Sequence, residues 1–594
     1  MNLHKDKSVS YECVTDNVSP DYFKSFICIP SSLFKNIVYR HQFSTLTLKQ
    51  DIVFPFCTLL FVLFIYLGYC IDVHTWESYF YAGSLDQLIP VSDMAPPGRN
   101  LSLPYNNLLC IYYTQHPLLY FMVYVIHIFL PDINPLTCSQ MLNILSGMLG
   151  LLSIYLILKK VLKNTVLACQ GVLLVSCLDV YWYQSLSGEV YIGAFSFLSL
   201  SLYALLHVED YNKTQTTKPF LLMCIFLGIA VCFHLYGSLF GVVIAIDILK
   251  RSDSWTLRLK YLSILGGISC SFFIAAYILP YFMMTSIQNL FELSTLLFIH
   301  SKIWGIWQIP DYLMPVEMMF SIFVGCKHLL NAMICGNGFM VHLCRIVCGC
   351  WMGIHIVRYL VNPQKERILS LCLLWFGTYF IVLTTIIHVP AVNDNWCLCL
   401  FPLILFMMHV YRPCLLRPTG KGVLWIVIAS LFMINGANDI FPKRNVPDHE
   451  FFVAKGLEDQ VACYRKIIFM GNHNILSQAW YVFYQINEKR PHLSYLHPPY
   501  EYPHPYQYQQ DLLKQVRTAL NDHDKVLIIS AENDQWIRLT FHLLRSSGYD
   551  IQPVFQKSLT IDPKTYKVAL GIIEKPFELK YVAYRIQQPD NVSQ

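Results

Sequence analysis

The sequence predicts an α-helical polytopic membrane protein with about 11–13 transmembrane helices, followed by a small C-terminal α/β domain outside the membrane. Of its 594 residues, 55% are hydrophobic and only 14% are charged, and the mean hydropathy is +0.43. This composition is too apolar for an ordinary soluble protein. Apolar runs of spanning length recur as far as residue 436, and the chain beyond them is polar. The net charge of +5 is small for this length, which argues against nucleic acid as a partner.

The apolar runs divide the chain into three predicted regions. These are a cytoplasmic N-terminal tail at 1–50, a transmembrane domain at 51–436 with a long outer loop at 72–116, and a periplasmic or lumenal α/β domain at 437–594. Candidate spans lie at 52–71, 137–158, 165–182, 190–207, 219–235, 238–249, 261–282, 337–357, 368–387, 397–411 and 422–436. The segment 314–334 is either re-entrant or one of a pair of spans.

Basic residues orient these spans. They cluster at alternate ends, namely at Lys159/Lys160/Lys163, Lys213/Lys218, Lys250/Arg251/Arg258/Lys260, Arg358/Lys365/Arg367 and Arg412/Arg417/Lys421. The positive-inside rule places these clusters in the cytoplasm. The intervening connections must then face the other side of the membrane. They are nearly free of basic residues, since 72–116 contains only Arg99, and 183–189 and 388–396 contain none.

The C-terminal region has a different pattern. Strand-like runs lie at 525–530 (KVLIIS) and 566–573 (YKVALGII), near helical patterns at 509–521 and 534–547. Nothing in it resembles a glycine-rich nucleotide loop. We therefore expect a supporting or acceptor-binding role for this domain.

Three acids in the outer connections are the candidate catalytic residues. Asp72 and Glu77 follow the first apolar run in IDVHTWE, and Glu189 lies in SGEVY. Ionisable groups close to hydrocarbon are costly, so their retention there favours a functional role. The alternative for Asp72 is a simple helix boundary at the membrane interface.

The candidate substrate-binding residues also come from the outer connections and helix ends. They are Arg99 in APPGRN, His116 in TQHPLLYF, His234 in CFHLYG, and Asn393 and Asp394 in PAVNDNW. An arginine at this position suits a phosphate, although it also fits an exposed turn. His116 either caps a helix or binds phosphate, and His234 is either a ligand-binding residue or a core histidine hydrogen-bonded to a carbonyl. The cysteine spacings predict neither a zinc site nor a disulfide framework.

The order of these motifs resembles the GT-C superfamily of polytopic glycosyltransferases, which includes the protein O-mannosyltransferases and the lipid A aminoarabinose transferase. The resemblance covers about residues 50–240. It rests on the acid after the first span, the long outer loop, QHPLLYF at the start of a membrane-surface helix, and the acidic SGEVYIGAF segment. The sequence departs from the family at Leu118, where a second proline is usual, and in the separation of Glu77 from Asp72.

The resemblance implies transfer of a sugar from a polyprenyl-phosphate donor to a glycan, lipid or protein acceptor at the non-cytoplasmic face. Asp72 would act as general base, cationic groups would hold the phosphate, and the anomeric centre would invert. No cofactor is required, although Asp72, Glu77 and Glu189 are also suitable ligands for Mg²⁺ or Mn²⁺. Membrane lipids are the other expected partners. The membrane would be a bacterial inner membrane, or the endoplasmic reticulum in a eukaryote.

Two alternatives remain open at this point. A transporter or lipid flippase would carry ionisable residues near the middle of the bilayer, for which Asp247 and Lys327 are the candidates. A catalytically silent relative that serves as an assembly subunit would share the fold without the chemistry.

Overall fold

The computed structural model describes residues 45–71, 78, 117–208, 211, 217–279, 366–382, 397–436, 440–441, 466–470, 492–496, 505–522, 526–531, 535–561 and 577–587. Residues 1–53 and 54–594 form two units. The first is described from Thr45 onward as the start of a helix, and every contact given below lies within the second.

The described chain from 45 to 435 is helical. Its helices are α1 (Thr45–Gly68), α2 (Pro117–Phe129), α3 (Pro135–Leu162), α4 (Thr165–Ser176), α5 (Asp179–Leu186), α6 (Tyr191–Leu205), α7 (Thr217–Phe233), α8 (Leu239–Arg251), α9 (Trp255–Phe273), α10 (Arg367–Ile381), α11 (Cys397–Val410), α12 (Arg412–Leu415) and α13 (Pro418–Asn435). A 3₁₀ turn (Leu235–Ser238) precedes α8, and a π-helical turn (Ile274–Ile278) extends α9.

The chain is a polytopic membrane protein. Within the described residues, four helical segments are long and apolar enough to cross a bilayer: Asp51–Gly68, Pro135–Leu162, Trp255–Ile278 and Pro418–Asn435. Five shorter apolar helices accompany them. Large apolar side chains on α1 and α13, such as Phe64 and Ile426, point outward and are two-thirds exposed, as expected for surfaces that meet lipid.

The predicted span 165–182 is divided in two. Helix α4 ends at Ser176 and α5 begins at Asp179, and the two axes are bent by 70°. The segment is apolar on average despite Asp179 at the break, which is why hydropathy alone predicted one helix. The predicted span 337–357 and the segment 314–334 lie outside the described residues.

The turn between α3 and α4 is defined by its caps. Lys163 ends α3 in the left-handed conformation with φ of 52°. Asn164 then starts α4, and its side-chain oxygen accepts a hydrogen bond from the Leu167 backbone N–H at 2.9 Å. The short turn makes α3 and α4 neighbours and places Lys159, Lys160 and Lys163 together at one end of the bundle.

A buried ion pair joins three helices at this basic end. The Arg367 guanidinium at the start of α10 forms a bidentate pair with the Asp247 carboxylate in the last turn of α8. Arg367 also donates to the Val208 carbonyl just after α6, and the Tyr211 hydroxyl donates to Asp247 at 2.8 Å. Burial, followed by the Asp247 charge, raises the pKa of Tyr211, so this hydroxyl stays a donor. Asp247 is therefore a paired residue and not an isolated charge within a span.

The C-terminal region contains the predicted α/β fold. Strands β1 (Lys466–Met470), β2 (His492–Leu496), β3 (Val526–Ala531), β4 (Asp550–Ile561) and β5 (Phe577–Gln587) form one sheet in the order β2-β1-β3-β5-β4. The first three strands are parallel, and β5 and β4 are antiparallel to their neighbours. Helices α14 (Pro505–Asp522) and α15 (Gln535–Ser546) confirm two predicted helices, and β3 confirms the strand at 525–530. The predicted strand 566–573 lies outside the described residues, which resume at Phe577.

Both faces of the sheet are buried. Alternate side chains of β3 point to opposite faces. Val526 and Ile528 share a hydrophobic cluster with α14 and α15, whereas Leu527 and Ile529 belong to the large cluster formed by the membrane helices. Ile467 of β1 also belongs to the cluster of the membrane helices. The sheet is therefore packed between its own helices and the core of the transmembrane domain.

Removing the buried partner of Asp247 should destabilise the protein strongly. We expect Arg367→Met to lower the free energy of unfolding by about 3–5 kcal/mol, because it leaves a buried carboxylate unpaired. Arg251 is the matched control, since it lies 3.7 Å from the same carboxylate but is 39% exposed. Arg251→Met should cost less than about 1 kcal/mol. Unfolding of the detergent-solubilised protein measures both losses, and equal losses would contradict this account of the cluster.

Candidate active site

The end of the bundle opposite the basic cluster is built around the connection between α5 and α6. This connection, residues 187–190, contains the predicted acid Glu189, which is only 2% exposed. Helix α6 leads from it to Val208, beside the Arg367–Asp247 pair. Glu189 and the ion pair therefore lie at opposite ends of α6.

Two amides of α3 hold this connection. The Gln140 side-chain nitrogen donates to the Ile71 carbonyl at 2.9 Å and to the Leu186 carbonyl at 2.8 Å. One turn later, the Asn143 side-chain nitrogen donates to the Ser187 carbonyl at 2.7 Å and to the backbone carbonyl of Glu189. The two residues are three apart and so lie on one face of the helix.

The described neighbours of Asp72 and Glu77 lie beside the same connection. Asp72 and Glu77 are outside the described residues, but Ile71 immediately precedes the first and Ser78 immediately follows the second. The carbonyls of Ile71 and Leu186 both accept a hydrogen bond from the Gln140 side-chain amide. Ser78 is buried, and a Cβ atom on Gly188 would come within 2.9 Å of its hydroxyl oxygen. The residues that flank the 72–77 stretch therefore both approach the connection that carries Glu189.

Helix α2 reaches the connection as well. The Tyr120 hydroxyl donates to the Gly188 carbonyl at 3.3 Å. Pro117, the first residue of α2, is buried and directly follows the predicted site residue His116, which lies outside the described residues.

His234 lies at this end too, and it has a local structural role. It is 3% exposed and caps the 3₁₀ turn, with Nδ1 accepting the Tyr236 backbone N–H at 3.1 Å. Its ring lies 4.6 Å from the ring of Tyr191, two residues after Glu189. His234 is thus a buried, hydrogen-bonded histidine, but the described partner of its Nδ1 atom is a backbone N–H and not the expected carbonyl. Substrate binding by this residue stays a prediction.

Helix α10 contributes its far end to the same region. The Tyr379 hydroxyl donates to the Tyr236 carbonyl at 2.8 Å. The predicted residues Asn393 and Asp394 follow α10 in the chain and, like Arg99, lie outside the described residues. Of the eight predicted site residues, the structure thus describes Glu189 and His234, and it places both at the end away from the basic cluster.

Sequence reasoning missed the residues that organise this end. Gln140 and Asn143 lie within a predicted span, in CSQMLN, and their spacing of three was the available signal. Polar amides are unusual inside a membrane helix unless they bond to a neighbouring element.

An apolar cavity opens beside this end of the bundle. It has a volume of about 190 Å³ and lies between α1, α4 and α13. Its lining includes Tyr66, Ser176, Trp182 and Phe432. Trp182 belongs to α5, the short helix that leads into the Glu189 connection. The cavity therefore adjoins the candidate site through α5.

No group of three metal-ligating side chains occurs among the residues that the structure describes. Two of the three acids proposed as ligands for Mg²⁺ or Mn²⁺, Asp72 and Glu77, lie outside those residues. A divalent cation at this site therefore stays a prediction.

The fold matches solved structures, although no family model and no curated protein matches the sequence. The structure of ArnT from Cupriavidus metallidurans bound to undecaprenyl phosphate aligns with 90% of this chain and 98% of its own, with a TM-score of 0.53 and 11% identity. The Archaeoglobus fulgidus oligosaccharyltransferase in complex with Zn and sulfate aligns with 80% of this chain and 68% of its own, at a TM-score of 0.45 and 11% identity. The arabinofuranosyltransferase AftD from mycobacteria aligns with 91% of this chain and 40% of its own, at a TM-score of 0.44 and 12% identity.

The match to ArnT over nearly the whole of both chains shows that this protein has the GT-C fold. It confirms the predicted class, a polytopic helical membrane protein with a small C-terminal α/β domain.

The close contact between Gly193 of α6 and Phe233 of α7 allows the packing at this end of the bundle to be tested. A Cβ atom on Gly193 would overlap the Phe233 ring, whereas one on Gly266 in α9 would meet nothing within 4 Å. We expect Gly193→Ala to lower the free energy of unfolding by about 1–3 kcal/mol, because the ring must move. Gly266→Ala should be neutral or stabilise by up to about 1 kcal/mol, since alanine is the better helix former. Thermal unfolding in detergent compares the two, and a stable Gly193→Ala variant would contradict the tight packing.

Proposed function

We propose that this protein is a membrane glycosyltransferase that transfers a sugar from a polyprenyl-phosphate donor to an acceptor at the non-cytoplasmic face. The observation that carries the proposal is the pair of hydrogen bonds from the Gln140 amide, here called the Gln140 tie. These bonds join Ile71, the residue before Asp72, to Leu186, the end of the helix before Glu189. The GT-C fold supports the same reaction class, and ArnT, which shares that fold, was solved bound to undecaprenyl phosphate.

In the proposed reaction, Asp72 acts as general base. It accepts the proton of an acceptor hydroxyl or amine while the acceptor atom attacks the anomeric carbon of the donor. The bond between that carbon and the phosphate oxygen breaks, and polyprenyl phosphate leaves with the electron pair. Attack from the face opposite the phosphate inverts the anomeric centre. Proton transfer of this kind contributes about 10²–10⁴-fold, and positioning and charge stabilisation supply the rest.

The other predicted residues have proposed roles around this step. Glu77 and Glu189 complete the acidic group, and Glu189 orients the acceptor or shares a cation with Asp72. Arg99 and His116 hold the donor phosphate. His234, Asn393 and Asp394 bind the sugar or the acceptor.

The donor chain has a proposed place in the cavity between α1, α4 and α13. Its lining is almost wholly apolar, and its volume of about 190 Å³ exceeds the roughly 150 Å³ of apolar cavities that bind benzene. A chain held there would keep its phosphate near α5 and the Glu189 connection.

The proposed arrangement in the membrane follows the basic clusters. Residues 1–50 are cytoplasmic, 51–436 form the transmembrane domain, and 437–594 lie in the periplasm or the lumen. The pairing of Asp247 with Arg367 at the basic end weighs against a transporter, which would need ionisable groups on its pathway near the middle of the bilayer.

Substitution of the proposed base tests the reaction and separates an enzyme from a silent relative. The protein is reconstituted in liposomes with a panel of undecaprenyl-phosphate and dolichyl-phosphate sugars and with candidate glycan, lipid and peptide acceptors, and release of polyprenyl phosphate is measured. We expect Asp72→Asn to lower kcat by about 10²–10⁴-fold, because the amide cannot accept the proton. Asp132→Asn is the control, because this exposed acid between α2 and α3 should have no effect. Equal turnover by the parent and Asp72→Asn would remove Asp72 from the mechanism. No turnover by the parent with any pair of donor and acceptor would refute the proposal.

Filling the cavity tests the place of the donor chain. Ala429 lines the cavity from α13, whereas Val427 on the same helix does not and is 41% exposed. We expect Ala429→Trp to raise KM for a long-chain donor at least about tenfold, which corresponds to about 1.4 kcal/mol of lost chain burial. The same variant should not affect a donor with two isoprene units, and Val427→Trp should affect neither. A rise in KM that is independent of chain length would place the chain elsewhere.

A further inference from the structure

Gln140 is bonded to two separate parts of the chain through one nitrogen atom. A side-chain amide has two hydrogens, and here each goes to a different backbone carbonyl, that of Ile71 or that of Leu186. The residue is 7% exposed, so water contributes little to this arrangement. Both donor positions of the amide are therefore committed to the backbone.

Neither of these carbonyls has a hydrogen-bond partner within the helix that precedes it. Leu186 is the last residue of α5, and the final carbonyls of a helix have no partner within it. Ile71 lies just past the end of α1 at Gly68. A carbonyl without a partner is costly in a site of low dielectric constant, so both carbonyls favour the position in which Gln140 reaches them.

The tie acts on the two segments that carry the proposed catalytic acids. Ile71 is bonded covalently to Asp72, and Leu186 is three residues before Glu189. Asn143 separately fixes the Ser187 and Glu189 carbonyls to α3. Gln140 donates to both segments, so it sets the position of the start of the first outer loop relative to the Glu189 connection.

We propose that Gln140 is a positioning residue for sugar transfer, which fixes the backbone just before Asp72 relative to the backbone just before Glu189 by donating to the Ile71 and Leu186 carbonyls. The inference rests on the proposed function. It assigns no contact with substrate to Gln140. A displacement of about 1 Å in a reacting group costs on the order of 10²-fold in rate, so a lost tie should appear in kcat.

The first experiment replaces the amide with a side chain of similar size that cannot donate. We expect Gln140→Met to lower kcat by about 10–100-fold and to leave KM for the donor within about twofold, measured with the donor that the parent turns over. Gln170→Met is the matched control. Gln170 is also a fully buried glutamine in a membrane helix, and its amide donates to the Lys421 carbonyl at 3.3 Å, but at the basic end of the bundle. This control should retain the kcat of the parent.

A double substitution distinguishes positioning from general loss of structure. If Gln140 acts through Asp72, then adding Gln140→Met to Asp72→Asn should lower kcat by less than about twofold further. Losses that multiply would overturn the inference. Equal kcat for Gln140→Met and the parent would overturn it as well, while the proposed function would stand. A parent without transferase activity would refute both.

A third variant keeps the test decisive if Gln140→Met does not fold. In Gln140→Glu the side chain has the same length, and its carboxyl group donates one hydrogen bond only when protonated. We therefore expect the ratio of its kcat to that of the parent to rise as the pH falls. A ratio that does not change with pH would contradict a role for the donated hydrogen bond.

Discussion

The absence of water inside a bilayer is the constraint on which this structure depends. Where α4 breaks from α5, and again where α5 ends, backbone carbonyls lose their helical partners and must be satisfied by other groups. The structure satisfies six of them with side chains from neighbouring helices. Ser176 accepts from Tyr66, Cys177 from Asn435, Leu186 from Gln140, Gly188 from Tyr120, and Ser187 and Glu189 from Asn143. The donors come from α1, α2, α3 and α13, so satisfying one broken helix also fixes four others around it.

The two ends of the bundle are held by different chemistry. At the basic end, a charged pair between Arg367 and Asp247 joins α10 to α8. At the other end, the hydrogen bonds to the broken backbone come from neutral amides and hydroxyls. Neutral donors fix the backbone without adding a full charge of their own. The charged groups that set the electrostatic potential at this end are therefore the acids and cations of the proposed reaction.

Much of the fold could be predicted from the sequence because its signals are local. Apolar runs gave the helices, and the lysines and arginines gave their orientation, which agrees with Glu189 and Asp247 lying near opposite ends of the bundle. The break at Cys177 was not predicted, because the segment 165–182 is apolar enough on average to suggest a single span. Asp179, the first residue after the break, was a local signal that this average hid. The buried partner of Asp247, Arg367, is 120 residues away in the chain, so the sequence showed only the exposed Arg251 four residues further on. In the candidate site, an acid after a span can be recognised in the sequence. The carbonyls that Gln140 binds cannot, because every residue has a backbone carbonyl and the sequence does not show which ones lack a partner.

The C-terminal sheet has a consequence for how the chain is organised. Its strands present Ile467, Leu527, Ile529 and Ala583 to the hydrophobic core that the membrane helices form, and its opposite face is covered by α14 and α15. A linker-tethered accessory domain would instead close its own core and show a polar surface to its neighbour. Here one face of the sheet is buried against the membrane helices. A chain cut after α13 would expose an apolar surface on each fragment. The two parts are therefore expected to fold and to be degraded as one unit.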